Sequence, residues 1–261
     1  MQEYFRLGEQ LNFNLPKHLD IFEVDSMEIK NNPLIETKDL TKTYVRKSGP
    51  SIKALDGVSL HILAGEFLAI IGRSGSGKTT LLNLIGALDR PTSGKVMFEG
   101  KNLSDLSNRD LALLRRQKVG FIFQTFNLLP ALTVLENIEV ALIHSRMSRK
   151  EMTEKAATLL DLFDLTDKSN QLPLELSVGQ QQKVAIARAL AKNPVLILAD
   201  EPTGEMDPIT GEEIVAKLVE LNGKSKVTIV VASHGTFPYS QVDRTVFIKD
   251  GKIVSQKEAG Y

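Results

Sequence analysis

Eight residues constrain this chain more than any others. Gly72 to Thr79 reads GRSGSGKT and fits the spacing G-x-x-x-x-G-K-[ST]. The residues before it, Glu66 to Ile71, are apolar and β-prone, as in a strand buried on both faces. The residues after it, Thr80 to Leu88, have helical spacing. A strand that enters a helix through a glycine-rich turn presents backbone amides to an anion. Gly72, Gly75 and Gly77 let the turn bend tightly and approach the anion closely. The amides of Arg73, Ser74 and Ser76, with those of Thr79 and Thr80 at the helix start, complete a phosphate cradle. Lys78 adds a point charge for the outer phosphates, and the Thr79 hydroxyl is placed to ligate Mg2+. The stretch therefore specifies nucleoside-triphosphate binding, without saying what the energy is used for.

Two carboxylates supply the chemistry. Val195 to Ala199 is an apolar strand that runs directly into Asp200 and Glu201. Ligands of open α/β sheets lie beyond the carboxyl ends of the strands, so both acids arrive at the phosphates. Asp200 is suited to hold Mg2+. Glu201, one residue further, can orient or deprotonate an attacking water, which makes the site a hydrolase. A second apolar strand, Val227 to Ala232, ends on Ser233 and His234. Of four histidines, His234 alone follows an apolar strand at this edge, within reach of the terminal phosphate and the water.

The order of elements defines the expected fold. Strands at 34–47 and 54–71, a hairpin-like strand at 94–100, a charged helix ending near Gln117 and a strand at 119–123 precede a change of character. Residues 128–176 carry helical spacing at 135–143 and 150–163. The α/β pattern resumes after Ser177 with a helix to Lys192, a strand, a helix at 208–221, a strand, and a closing pair at 244–249 and 252–254. The fold class is α/β: a phosphate-loop core with a mostly parallel sheet, an N-terminal antiparallel β subdomain and a helical insert. Residues 1–33, polar and asparagine-rich, are a separate N-terminal extension, a strap or arm. Residues 34–261 form the main domain, with the helical subdomain at about 128–178.

Composition narrows the setting. Lys plus Arg and Asp plus Glu are 32 each, so no net charge directs the chain to nucleic acid. There is no cysteine, which excludes thiolate metal sites and disulfides. No apolar run reaches the roughly 18 residues that span a bilayer, and no signal-peptide pattern opens the chain. No direct membrane insertion is expected.

Leu176 to Leu190, LSVGQQQKVAIARAL, is physically a helix start. Ser177 with Gln180 forms a capping box, and the amides from Ser177 to Gln180 make a second anion site, with Gly179 allowing close approach. The segment resembles the signature of ATP-binding-cassette (ABC) ATPases. The phosphate loop, Gln124, this segment, Asp200-Glu201 and His234 follow that family's order over about residues 34–255. The resemblance implies that Tyr44 stacks on adenine, and that Gln124 touches Mg2+ and the attacking water. It implies that Asp207 belongs to a loop joining two active sites, and that Ser177 and Gly179 contact ATP held by an opposite subunit. One set of motifs then requires a head-to-tail homodimer around two ATP. The partner implied is an integral membrane permease subunit, which places the chain on the cytoplasmic side of the membrane.

Residues 84–94 and 124–130 resemble the lipoprotein-releasing, macrolide-exporting and antimicrobial-peptide-resistance branch, with cell-division ATPases nearby. Residues 126–132 are then expected to receive a short helix of the membrane subunit. An ATP-gated regulatory module with little net transport is the alternative. Three positions depart from the family pattern. Val178 replaces a glycine, which predicts slower hydrolysis with ATP binding kept. Lys183 replaces an arginine, and Gly235 an aspartate.

Overall fold

The computed structural model describes residues 33–45, 49–234 and 237–260. The N-terminal extension up to residue 32 and Gly235 lie outside them.

Two sheets sandwich one short helix. The first is antiparallel, in the order β2-β1-β4-β5, from β1 (Ile35–Tyr44), β2 (Ile52–Ile62), β4 (Ser93–Phe98) and β5 (Lys101–Asn102). The second has the order β10-β9-β3-β8-β7-β6. Its members are β3 (Phe67–Ile71), β6 (Val119–Ile122), β7 (Leu196–Asp200), β8 (Thr228–Ser233), β9 (Arg244–Lys249) and β10 (Lys252–Val254). β9, β3, β8, β7 and β6 run parallel, and β10 adds an antiparallel edge.

The parallel strands are apolar without interruption because both faces are covered. Alternate residues serve opposite layers. Phe67, Ala69, Ile71, Ile197, Ala199, Ile229 and Val231 join one core with the helices. Leu68, Ile70, Leu196, Leu198, Val230 and Ala232 join the other, with α1 (Lys78–Ile85) and the antiparallel sheet. Each large side chain so buried contributes about 1.5–3 kcal/mol of transfer free energy.

The helical expectations hold with adjusted bounds. α2 spans Asn108–Lys118. The element at 135–143 is a short α3 (Val134–Glu139) that tightens into a 3-10 turn at Val140–Leu142. α4 (Arg149–Leu162) and α3 each start on a complete capping box. They lie between β6 and β7, packed on α5 (Val178–Leu190). α6 (Pro208–Ser225) runs four residues beyond its expected end, until Lys226 turns left-handed and closes it on Asn222. α7 (Gln256–Ala259) is a short turn that the sequence reading did not anticipate.

Candidate active site: one cavity at the strand ends, and a helix end outside it

Register brings the functional strand ends to one level. Ile71 pairs with Ser233, Asp200 with Ala232, and Ile122 with Ala199. Each strand leaves the sheet at this edge and delivers its next residues to the same place. A cavity of about 390 Å3 opens there, lined by Ser74, Gly75, Gly77, Lys78, Thr79 and Thr80 of the phosphate loop, with Gln124 and Glu201. Ile52, Lys53 and Ala54 of β2 and Asp250 and Gly251 of the β9–β10 turn form the facing wall. That wall comes from strands with no motif of their own, which is why sequence reasoning missed it.

Gly77 ends the loop at φ 110°, a left-handed value, and a Cβ there would stand 2.5 Å from the Ala54 carbonyl. No side chain caps α1. Its first amides therefore keep their donor capacity and face the cavity, as a phosphate site requires. The wall is stitched to the loop by Gly251 N–H donating to Ser76 O and Asp56 N–H donating to Gly251 O, both 2.9 Å.

Lys78 is buried, with 4% of its side chain exposed. Its Nζ donates to Gly72 O at 2.8 Å and Arg73 O at 3.1 Å, and lies 3.5 Å from Glu201 Oε1. The other Glu201 oxygen lies 3.3 Å from His234 Nδ1, and the imidazole is half exposed. Glu201 thus stands between an ammonium and an imidazole at the cavity mouth. Its backbone holds φ 46°, unusual for a non-glycine residue, and its amide is fixed on Ala232 O at 2.8 Å.

Asp200 has a buried oxygen, Oδ1, with no hydrogen-bond partner. Burial raises its proton affinity above the ordinary aspartate value; the Thr79 hydroxyl lowers it, the Glu201 charge raises it and Lys78 lowers it. A desolvated, unpartnered carboxylate oxygen beside a threonine hydroxyl is the donor set a hard divalent cation takes. Mg2+ therefore fits Thr79 and Asp200. Gln124 lines the same cavity, with its Nε2 donating to Glu205 Oε1 at 3.0 Å. Sequence reasoning did not single out Glu205.

Other expected residues stand elsewhere. Tyr44 is not among the cavity-lining residues. Its hydroxyl donates to Asp89 Oδ2 at 3.1 Å, and Lys42 Nζ sits 5.0 Å from its ring centre. It pairs across the sheet with Ile52, which does line the cavity. Asp207 caps α6, accepting from Thr210 N–H at 3.1 Å, and the Thr210 side chain and amide hold its carboxyl below the usual range. Arg73 and Ser76 lie in the loop outside the lining, and the Ser76 hydroxyl is buried without a partner.

Ser177, Gly179 and Gln180 are also absent from the lining. The capping box forms as expected, and this corrects the count of free amides. Ser177 N–H donates to Gln180 Oε1 at 2.9 Å, and Gln180 N–H donates to Ser177 Oγ at 3.3 Å. The amides left for an anion are those of Val178 and Gly179. Val178 projects to solvent, 42% exposed. Gly179 is buried, and a Cβ there would meet Thr210 Cγ2 at 2.5 Å, so packing of α5 on α6 within this chain already demands a glycine. Lys183 pairs with Glu213 at 3.9 Å. Gln182, fully buried, donates to Pro202 O at 2.7 Å, tying α5 to the loop that follows Glu201.

A family model described as ABC transporter matches residues 55–204. The chain is 48% identical over 227 residues to an uncharacterized ABC transporter ATP-binding protein of Thermotoga maritima, covering 87% of this chain and 96% of that one. It is 45% identical to the macrolide export ATP-binding/permease protein MacB of Hyphomonas neptunium, over 85% of this chain but 34% of MacB. Its fold matches a dimeric, post-hydrolysis state of the ATP-binding cassette MJ0796 of Methanocaldococcus jannaschii bound to ADP and Pi. That match has a TM-score of 0.79 at 44% identity and covers 85% of this chain and 97% of the other. The strand-end cavity, the second helix end outside it and these likenesses together make the chain an ATP-binding cassette of the ABC transporter family.

Proposed function

We propose that this chain hydrolyses ATP to ADP and phosphate as the nucleotide-binding subunit of a transporter, closing head to tail with a second copy around two ATP. The observation that carries this reading is Glu201, held between Lys78 at 3.5 Å and His234 at 3.3 Å at the mouth of the phosphate cavity. Lys78 and the loop amides bind and orient the phosphates. Glu201 accepts a proton from water, and His234 holds that carboxylate in place. Thr79, Asp200 and Gln124 would hold Mg2+, which when bound supplies charge neutralisation across the phosphate oxygens. We assign Tyr44, which pairs with the wall residue Ile52, to the adenine end.

The helix end at Val178 and Gly179 lies outside the chain's own cavity, which favours its use by a partner copy. MJ0796 is dimeric in its solved structure, and this supports the same arrangement here. MacB carries cassette and permease under one name, and this chain spans about a third of it. We infer an integral membrane permease subunit as the partner, with the cassette on its cytoplasmic side. Among the described residues no helix is long and apolar enough to cross a membrane. Export or mechanical transmission is the mode we infer from the branch, with residues 126–132 as the docking segment and 128–178 as the helical subdomain.

Phosphate release from Mg-ATP by the purified chain tests this reading, beside Glu201→Gln and Lys78→Ala. Glu201→Gln is expected to abolish release and to run as an Mg-ATP dimer in gel filtration. Lys78→Ala is expected to lose nucleotide binding. An active Glu201→Gln variant, or unchanged affinity in Lys78→Ala, would refute the assignment.

A further inference from the structure

The backbone just past Gln124 is in an unusual state. Phe126 and Asn127 are consecutive non-glycine residues at φ 60° and 49°, both left-handed. Such a pair persists only where its surroundings impose it. Local bonds begin the task. Phe126 N–H donates to Phe123 O at 3.1 Å, closing a turn with Gln124 and Thr125 at its centre. The Thr125 hydroxyl donates to Asn127 Oδ1 at 3.1 Å.

Arg188 of α5 adds a tie from outside the turn. One guanidinium nitrogen donates to Phe126 O at 2.7 Å and another to Asn127 O at 2.6 Å. Two successive carbonyls in left-handed residues are thereby gripped by one planar fork. Burial of that guanidinium lowers its proton affinity from the ordinary value, so the two carbonyls offset a real desolvation cost. A lysine is shorter and lacks the fixed fork, so it does not reproduce both bonds. Downstream, the fully buried Asn137 binds Leu129 through both its N–H and its C=O. The turn is therefore bracketed, with Gln124 on the cavity side, where its side chain donates to Glu205 Oε1 at 3.0 Å.

We propose that Arg188 is a positioning residue for hydrolysis: it holds the turn that aims Gln124 into the phosphate cavity. This rests on the hydrolytic reading given above. It also means that α5, which offers Val178 and Gly179 at one end, grips the chain's own Gln124 turn near the other.

Arg188→Lys, Gln124→Ala and their double variant test this by steady-state hydrolysis of Mg-ATP, with nucleotide affinity and thermal midpoint measured alongside. Arg188→Lys is expected to lower kcat about tenfold, the scale of one charged hydrogen bond, while KM and nucleotide affinity stay within about twofold. In the Gln124→Ala background the same change is expected to cost nothing further, because its effect passes through Gln124. A purely structural role would lower the rate equally in both backgrounds, and that result overturns the proposal. So does an unaltered kcat in Arg188→Lys. If Arg188→Lys does not fold, Arg188→Gln, whose shorter amide cannot reproduce both bonds, is expected to give the same loss and the same non-additivity. A wild-type rate in Arg188→Gln overturns the proposal. A wild-type chain that does not hydrolyse ATP brings down the functional reading and this proposal together, whereas an active wild type with an indifferent Arg188 brings down the proposal alone.

Discussion

Gly179 separates two reasons for one glycine. An anion site asks only for its amide, which alanine also has. Packing asks for the missing Cβ, which would stand 2.5 Å from Thr210 Cγ2. Thr210 is short and β-branched, and its own amide is bound by Asp207, so it has little room to retreat. Forcing a methyl into such a contact costs about 1–3 kcal/mol. Helix propensity returns up to about 1 kcal/mol when alanine replaces glycine, and less in a first turn. The net expectation for Gly179→Ala is a loss of about 1–2 kcal/mol, or roughly 2–8 °C in Tm for a chain of this size. Thr210→Ser removes the methyl in question. In the double variant it should restore most of the loss, a coupling of about 1–2 kcal/mol between residues in contact. Urea unfolding of the four proteins of the cycle, without nucleotide, measures this directly. A Gly179→Ala protein as stable as wild type, or a Thr210→Ser change that rescues nothing, refutes the packing argument. If stability returns in the double variant and hydrolysis does not, the amide end of α5 has a separate, functional demand for glycine.

Four further outcomes follow from the structure. Asp200→Asn removes a desolvated charge whose proton affinity burial has raised. It should raise the thermal midpoint of the nucleotide-free protein while abolishing Mg2+-dependent hydrolysis, and a lowered midpoint would contradict this. In the wild type, Mg2+ binding needs the ionised form. Affinity measured by titration should therefore fall as pH drops through a value above the usual 3.8 for aspartate. Lys192 has its pKa lowered to about 8 by burial and then by the Arg188 charge. Its unfolded form holds the proton up to about 10.5, so its contribution is present above that pH and is lost as pH falls through about 8. Unfolding free energies at pH 8 and 10 should therefore rise more steeply in the wild type than in Lys192→Met, and parallel profiles would refute this. Val178→Gly should speed turnover without changing ATP affinity. Identical kcat values would show that the exposed valine does not crowd the facing site.

Much of the core of the site was legible because it follows local rules. A strand, a glycine turn and an uncapped helix occupy adjacent residues, so Gly72 to Thr80 could be placed from spacing alone. Asp200, Glu201 and His234 were legible because unbroken apolar runs end on them, and parallel strands share a carboxyl edge. The rest depends on residues distant in the chain. Ala54 and Gly251 are 197 residues apart and meet only when the antiparallel sheet folds onto the phosphate loop. Arg188 reads as an ordinary helix residue until Phe126 and Asn127 turn left-handed beneath it. The side-chain bond from Gln124 to Glu205 crosses 81 residues and has no periodicity to announce it. Tyr44 shows the converse: a residue suited to stack on a base sits one strand back, with Lys42 over its ring.

The stitching at Ser76, Gly251 and Asp56 has a consequence for discrimination between nucleotides. The Gly251 amide ties the β9–β10 turn to the phosphate loop and the Asp56 amide ties β2 to that turn, which holds wall and loop at one spacing. A diphosphate and a triphosphate would meet that wall alike. On the functional reading proposed above, the third phosphate would be told apart at the turns after β6, β7 and β8, where Gln124, Glu201 and His234 stand.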